Sequence, residues 1–157
     1  MNDNRPAPRA LSDDELSRML TEQTFGVLAA VRSTGHPHLS TVMYDWDPAE
    51  RTIRVSTTAD RLKTRLLRRN SRAALHASPD SWSFAVAEGE VEVSEEAAVP
   101  GDAVGRELLA MTPGFADPAE EAEFLAEQVA ERRVVIRLRV ARLYGMALDV
   151  PAVRAAG

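Results

Sequence analysis

Apolar residues fall along this chain in short runs of period two, broken by brief helical patches. From Phe25 to Val31 the sequence FGVLAAV is apolar at nearly every position, the pattern of a strand covered on both faces. A second strand is expected from His38 to Trp46, after the turn at Thr34 and Gly35. A third is expected from Thr52 to Thr57, with Ile53 and Val55 inward and Arg54 and Ser56 outward. Ala73 to Ala77 reads as a fourth. In the fifth, Trp82, Phe84 and Val86 lie on even positions and Val91 and Val93 on odd ones. Gly89 sits where the phase slips, so a bulge is expected there, a device that lets a sheet curl. The last strand alternates Val134, Ile136, Leu138 and Val140 against Arg137 and Arg139.

Helical period appears in three places. Ser12 with Glu15 three residues on forms a capping-box signature and opens a helix from 13 to about 23. Asp60 is placed to cap a second helix that runs to Asn70. Two amphipathic stretches between Gly101 and Glu131 flank the turn Thr112 to Phe115. Six strands and few helices predict a mainly β protein, a six-stranded antiparallel barrel with helical insertions. The expected division is a flexible arm over 1–11, one domain over 12–149 and a tail over 150–157.

Composition narrows the function. The chain has 157 residues, enough for one core. Its 19 Lys and Arg against 24 Asp and Glu leave a formal charge of −5, which argues against nucleic acid as partner. No apolar run reaches the roughly 18 residues of a membrane helix, and MNDNRPAPRA lacks the apolar core of a signal peptide, so a cytoplasmic protein away from membranes is expected. There is no cysteine, which removes disulfides, thiolate metal sites and cysteine nucleophiles.

The densest chemistry is STTADRLKTRLLRRNSR, residues 56–72. Arg61 and Lys63 fall in the first helical turn, where the dipole and unpaired N–H groups disfavour cations. They make sense there if an anion docks among them, with the hydroxyls of Ser56, Thr57 and Thr58 as neutral donors. A solvated basic face offset by Asp60 accounts for the same residues, and composition alone leaves both readings standing.

The segments FGVLAAVRSTGHPHLSTVMYDWD, IRVSTTADRLKTRLLRRNSRAALHA, FAVAEGEVEVS and RRVVIRLRVARLYGM together resemble the pyridoxamine-phosphate-oxidase-like split β-barrel superfamily (the FMN-binding split barrel), in particular its branch that uses the deazaflavin coenzyme F-420. The resemblance spans residues 15–146. It implies that Ser40, Thr41, Val42 and Met43 line the cofactor ring with their backbone, and that Ser56, Thr57, Arg61 and Lys63 hold the ribityl and phosphate end. A small residue is more usual at position 61 in the flavin-mononucleotide (FMN) branch, and Leu62 stands where that branch has arginine; Arg61 with Lys63 thus leans toward F-420. The resemblance further implies a homodimer with cofactor sites at the interface, for which Arg137, Arg139 and Trp82 are candidates. Glu88 stands where relatives carry a basic residue, and 101–131 is more acidic than the resemblance leads one to expect.

Other constellations are weaker. His36 and His38 are two residues apart with no third ligand, as in an exposed turn. His76 reads as a core or interface residue, Tyr44 and Trp46 as wall packing, and Asp117, Glu120, Glu121 and Glu123 as the acidic start of a helix. Nucleophile-elbow, dinucleotide-fingerprint and P-loop motifs are absent. The expected activity is hydride transfer from reduced F-420 to an electron-poor small molecule. The alternatives are an FMN-dependent oxidoreductase or a non-catalytic carrier of flavin, deazaflavin or haem.

Overall fold

The structure is a computed structural model, described over residues 6–149. Eight strands and four helices follow in the order β1 (Ala7–Ala10), α1 (Asp13–Glu22), β2 (Phe25–Val31), β3 (Pro37–Met43), β4 (Asp45–Asp47), β5 (Thr52–Thr58), α2 (Leu62–Arg69), β6 (Arg72–Ala77), β7 (Ser83–Val93), α3 (Ala103–Ala110), α4 (Pro118–Ala130) and β8 (Arg133–Asp149). One antiparallel sheet runs β3-β2-β6-β7-β8-β5-β4, with β1 added to the far end of β8. Its two outermost strands, β3 and β4, are consecutive in the chain with only Tyr44 between them, so the sheet curls round and meets itself as a split β-barrel.

Two differences from the sequence reading have local causes. The expected strand His38 to Trp46 is two strands, because it leaves β2 at Met43 and takes up β5 at Asp45. Tyr44 forms the corner: its N–H donates to Thr24 O, and its buried hydroxyl donates to Leu20 O at 2.6 Å. Residues Ala7–Ala10, expected as part of an arm, pair with Met146–Asp149, since β8 extends well past its apolar half and offers them an open edge. These two changes raise the strand count from six to eight. The tail over 150–157 lies outside the described residues.

Gly89 sits at the register shift between β7 and β8, as its place between out-of-phase halves predicts. A Cβ there would lie 1.9 Å from Arg139 O, so only glycine lets the strands cross that closely.

The core lies inside the curl. Leu28, Ile53, Val55, Leu75, Ile136 and Leu138 line it, Leu16 and Leu20 of α1 and Leu66 and Leu67 of α2 pack against it, and Tyr44 and Trp46 form part of its wall. The capping box at Ser12 is formed as expected: Ser12 Oγ accepts from Glu15 N, and Glu15 Oε2 accepts from Ser12 N. α3 and α4 pack over the outer side of β8, where Val135 is fully buried.

Candidate functional site

The end of β5 and the start of α2 make one rigid corner. Arg61 N donates to Thr58 O, and the buried Thr64 hydroxyl donates to the same oxygen at 2.9 Å. The expected cap is not at Asp60. Arg61 holds the N-cap position with no side-chain hydrogen bond, while the Asp60 carboxylate is occupied by the Thr58 hydroxyl. That bond, more than any other effect, holds the Asp60 carboxyl below its ordinary range. The first backbone N–H groups of α2 are therefore left without a side-chain cap.

Beside this corner β3 and β5 face each other across a cavity of about 360 Å³, lined by Thr41, Val42, Met43, Ser56, Thr57, Thr58, Arg61, Lys63 and Arg133. Seven of the eight residues expected at a cofactor site are thus brought together. The exception is Ser40, which does not reach the cavity; its hydroxyl is turned away from solvent, and among the described residues it has no hydrogen-bond partner. Strand alternation separates the rest. Val42 and Thr57 turn their side chains inward and are 6% exposed, so they offer mainly backbone, whereas Thr41, Met43, Ser56 and Thr58 lie on the outer face.

Arg133 is the member that sequence reasoning missed. It opens β8 opposite Thr58, and its Nη1 lies 3.4 Å from Ser56 Oγ while its Nε donates to Glu131 at 2.7 Å. More than sixty residues separate it from the basic helix, so only the β5–β8 register brings it close. The signal available in the sequence was its parity, which it shares with Arg137 and Arg139.

Arg61, Lys63 and Arg133 put three cations at one mouth. Glu131 pairs with Arg133, but among the described residues no carboxylate lies in salt-bridge range of Arg61 or Lys63. Lys63 is half-buried, and its ammonium is held below the usual lysine range first by desolvation and then by the charge of Arg61. An anion placed among the three would relieve both effects. The hydroxyls of Ser56, Thr58 and Thr41 are neutral donors on the same surface.

A second cavity, about 610 Å³, opens from the same mouth and shares Met43, Ser56 and Arg133 with the first. It runs beneath α4, past Leu108, Met111 and Phe124.

The chain as a whole has relatives among known proteins. A model of the pyridoxamine 5'-phosphate oxidase family matches residues 12–147. The chain belongs to that family. Membership makes it oxidoreductase-like and agrees with the curled sheet. Among solved structures, a conserved hypothetical protein of Mycobacterium tuberculosis is 21% identical, with 94% of this chain and 93% of that one covered and a TM-score of 0.69. A FAD-binding protein of Mesorhizobium loti is 18% identical, with 92% and 99% covered and a TM-score of 0.64. An F420 reductase is 25% identical, with 81% and 94% covered and a TM-score of 0.57. All three share the fold with this chain.

The remaining candidates resolve simply. His36 lies in the exposed turn beside Thr34, and His38, half-buried near the start of β3, lies against Arg32. His76 is exposed on the outer sheet face, stacked on Phe84 at 5.6 Å, rather than inside the core. Asp117 caps α4, followed by Glu120 and Glu121 in its first turn. Glu88 lies 3.4 Å from Arg142. Arg137 is engaged within the chain by Glu107 and Glu92. Arg139 and Trp82 stay more than half exposed. No described helix is long and apolar enough to cross a membrane.

Proposed function

We propose that this protein is a reductase dependent on a deazaflavin of the F-420 type. The observation that carries the reading is the unpaired cation pair, Arg61 and half-buried Lys63, placed beside a third cation and outward hydroxyls at the uncapped start of α2. That donor set fits a phosphate: charge-assisted donors from three side chains, neutral hydroxyls and free backbone N–H groups converge on one mouth. Arg61 and the similarity to an F420 reductase favour the deazaflavin over FMN.

In this reading Arg61, Lys63 and Arg133 grip the phosphate, and Ser56 and Thr58 bind the polar chain that leads from it. The backbone of Thr41, Val42 and Met43 orients the ring. When bound, the reduced cofactor supplies the hydride. The protein contributes position, charge and exclusion of water, and none of its side chains need move a proton.

The proposal includes a homodimer. Phe25 and Met43 are paired neighbours on the outer face of β2 and β3, with Leu39 two rows along, and all three are about 60% exposed, an apolar surface of the kind a partner covers. Light scattering coupled to size exclusion checks it: a monomer at working concentration overturns this element.

The cofactor assignment is tested by fluorescence titration of the purified protein with F-420 and with FMN. Micromolar or tighter binding of F-420 supports it; binding of FMN alone overturns it.

A further inference from the structure

The two joined cavities carry opposite charge. At the α2 end stand Arg61, Lys63 and Arg133. The larger cavity under α4 has three carboxylates in its lining, Asp45, Glu127 and Glu131, against the one guanidinium of Arg133, which Glu131 already holds at 2.7 Å. Among the described residues Asp45 and Glu127 have no salt-bridge partner. The nearest cation to Asp45 by strand register is Arg54, opposite it in the β4–β5 ladder, but that guanidinium is turned to Glu107 at 3.0 Å and to Asp47.

A buried polar group points the same way. Gln128 lines this cavity although it is only 7% exposed. Its amide nitrogen donates to Phe124 O at 3.0 Å, and among the described residues its Oε1 accepts no hydrogen bond. The residue is buried but its open carbonyl has access to the cavity, where a ligand that brings a donor can satisfy it. Met43, Leu108, Met111 and Phe124 complete the walls with apolar, polarisable surface, suited to a flat ring and, at Phe124, to a positive charge over the ring face.

We infer that the cavity under α4 selects a flat organic cation, a protonated amine or quaternary nitrogen on an aromatic body, as the molecule that sits beside the cofactor. The inference rests on the reading of the α2 end as the cofactor's phosphate site, since that reading leaves the second cavity for the substrate. Asp45 and Glu127 supply the charge preference, and Gln128 Oε1 takes the donor. Of the acids in 101–131, Glu127 and Glu131 belong to this cavity. An anionic substrate is disfavoured there by the same carboxylates.

Three compounds of one shape test it: N-methylquinolinium, neutral quinoline and quinoline-carboxylate, titrated calorimetrically at pH 7.5 into the full chain, with and without saturating F-420. The cation binds at least about fivefold tighter than quinoline and the carboxylate weakest, the size expected of two exposed carboxylates acting together. The double variant Asp45→Asn, Glu127→Gln changes two exposed side chains; it abolishes the preference and leaves F-420 affinity within about twofold. Equal binding of cation and neutral compound by the unaltered protein overturns the inference, as does a preference that survives in the double variant. If the charge preference is found but F-420 and FMN both fail to bind, the cavity's selectivity stands and the cofactor reading falls.

Discussion

Two groups of cations lie on one face of the β5–β8 ladder, and they have opposite fates. At one end Arg54 and Arg137 are directly opposite each other and share Glu107 of α3, which accepts from Arg54 Nε at 3.0 Å and from Arg137 Nε at 2.8 Å. Four residues along β5, about 13 Å away at strand rise, Thr58 faces Arg133, and Arg61 and Lys63 complete a set with one carboxylate between them. The first group is neutralised from within and fastens a helix to the sheet. The second is left charged at an open mouth. Like charges gathered without internal partners cost the fold something, so their place at a cavity, rather than their number, is what points to a ligand.

The largest effect that would break this contrast is on the open end. Replacing Arg61 and Lys63 together by alanine is expected to weaken cofactor binding by about 3 to 5 kcal/mol, at least a hundredfold, because charge-assisted hydrogen bonds contribute about 1.5 to 3 kcal/mol each. Thermal unfolding should scarcely move, and a fluorescence titration beside a melting curve reads both. An affinity left unchanged returns these residues to a solvated basic face.

The closed end should respond the other way. Glu107→Gln leaves Arg54 and Arg137 facing each other with half their acceptors gone, an expected loss of about 2 kcal/mol in denaturant unfolding with cofactor affinity untouched. The same carboxylate sets an acid limit. The hydrogen bond from Arg137, then that from Arg54, hold Glu107 below its ordinary value of 4.5 against the opposing effect of burial. Its contribution is therefore complete above about pH 4.5 and fades as pH falls through the lowered folded-state value. Unfolding curves of the native protein and Glu107→Gln should draw together as pH falls below 4.5 and converge once it has passed that lowered value.

Smaller effects sharpen the picture. Arg133→Ala should cost the cofactor about 1 to 2 kcal/mol, less than the double change, because Glu131 already holds part of that charge. Lys63 adds a pH signature: its ammonium is depressed by burial and by Arg61, and an anion restores it. Cofactor affinity should fall as pH rises toward the ordinary lysine range, and the Lys63→Met variant should lose that slope. Ser56→Ala, which removes one neutral donor, should cost about 0.5 to 1 kcal/mol.

Much of this was legible in the chain. Period-two alternation, with the apolar run from Phe25 to Val31, located the barrel path, β3 and β4 as one strand, because a residue half in oil and half in water declares its side locally. The phase slip at Gly89 announced the bulge. Arg61 and Lys63 marked out the corner that the fold sets at a cavity mouth, since no local energy favours cations at a helix start. The switch of partner at Tyr44 was hidden, because apolar alternation continues unbroken through a corner. The cap at Asp60 was misread because its carboxylate has a nearer donor in Thr58.

What the sequence determined by itself, then, is the run of strands, the curl at Gly89 and the basic corner over residues 56–63, all set by neighbours along the chain. Tertiary structure decided the rest. Strand register brought Arg133 to Ser56 across 77 positions and set Arg54 against Arg137, and the packing of α3 and α4 chose which arginines find a carboxylate. Charge pairing and cavity shape depend on distances through space, which residue order constrains only after the sheet has closed.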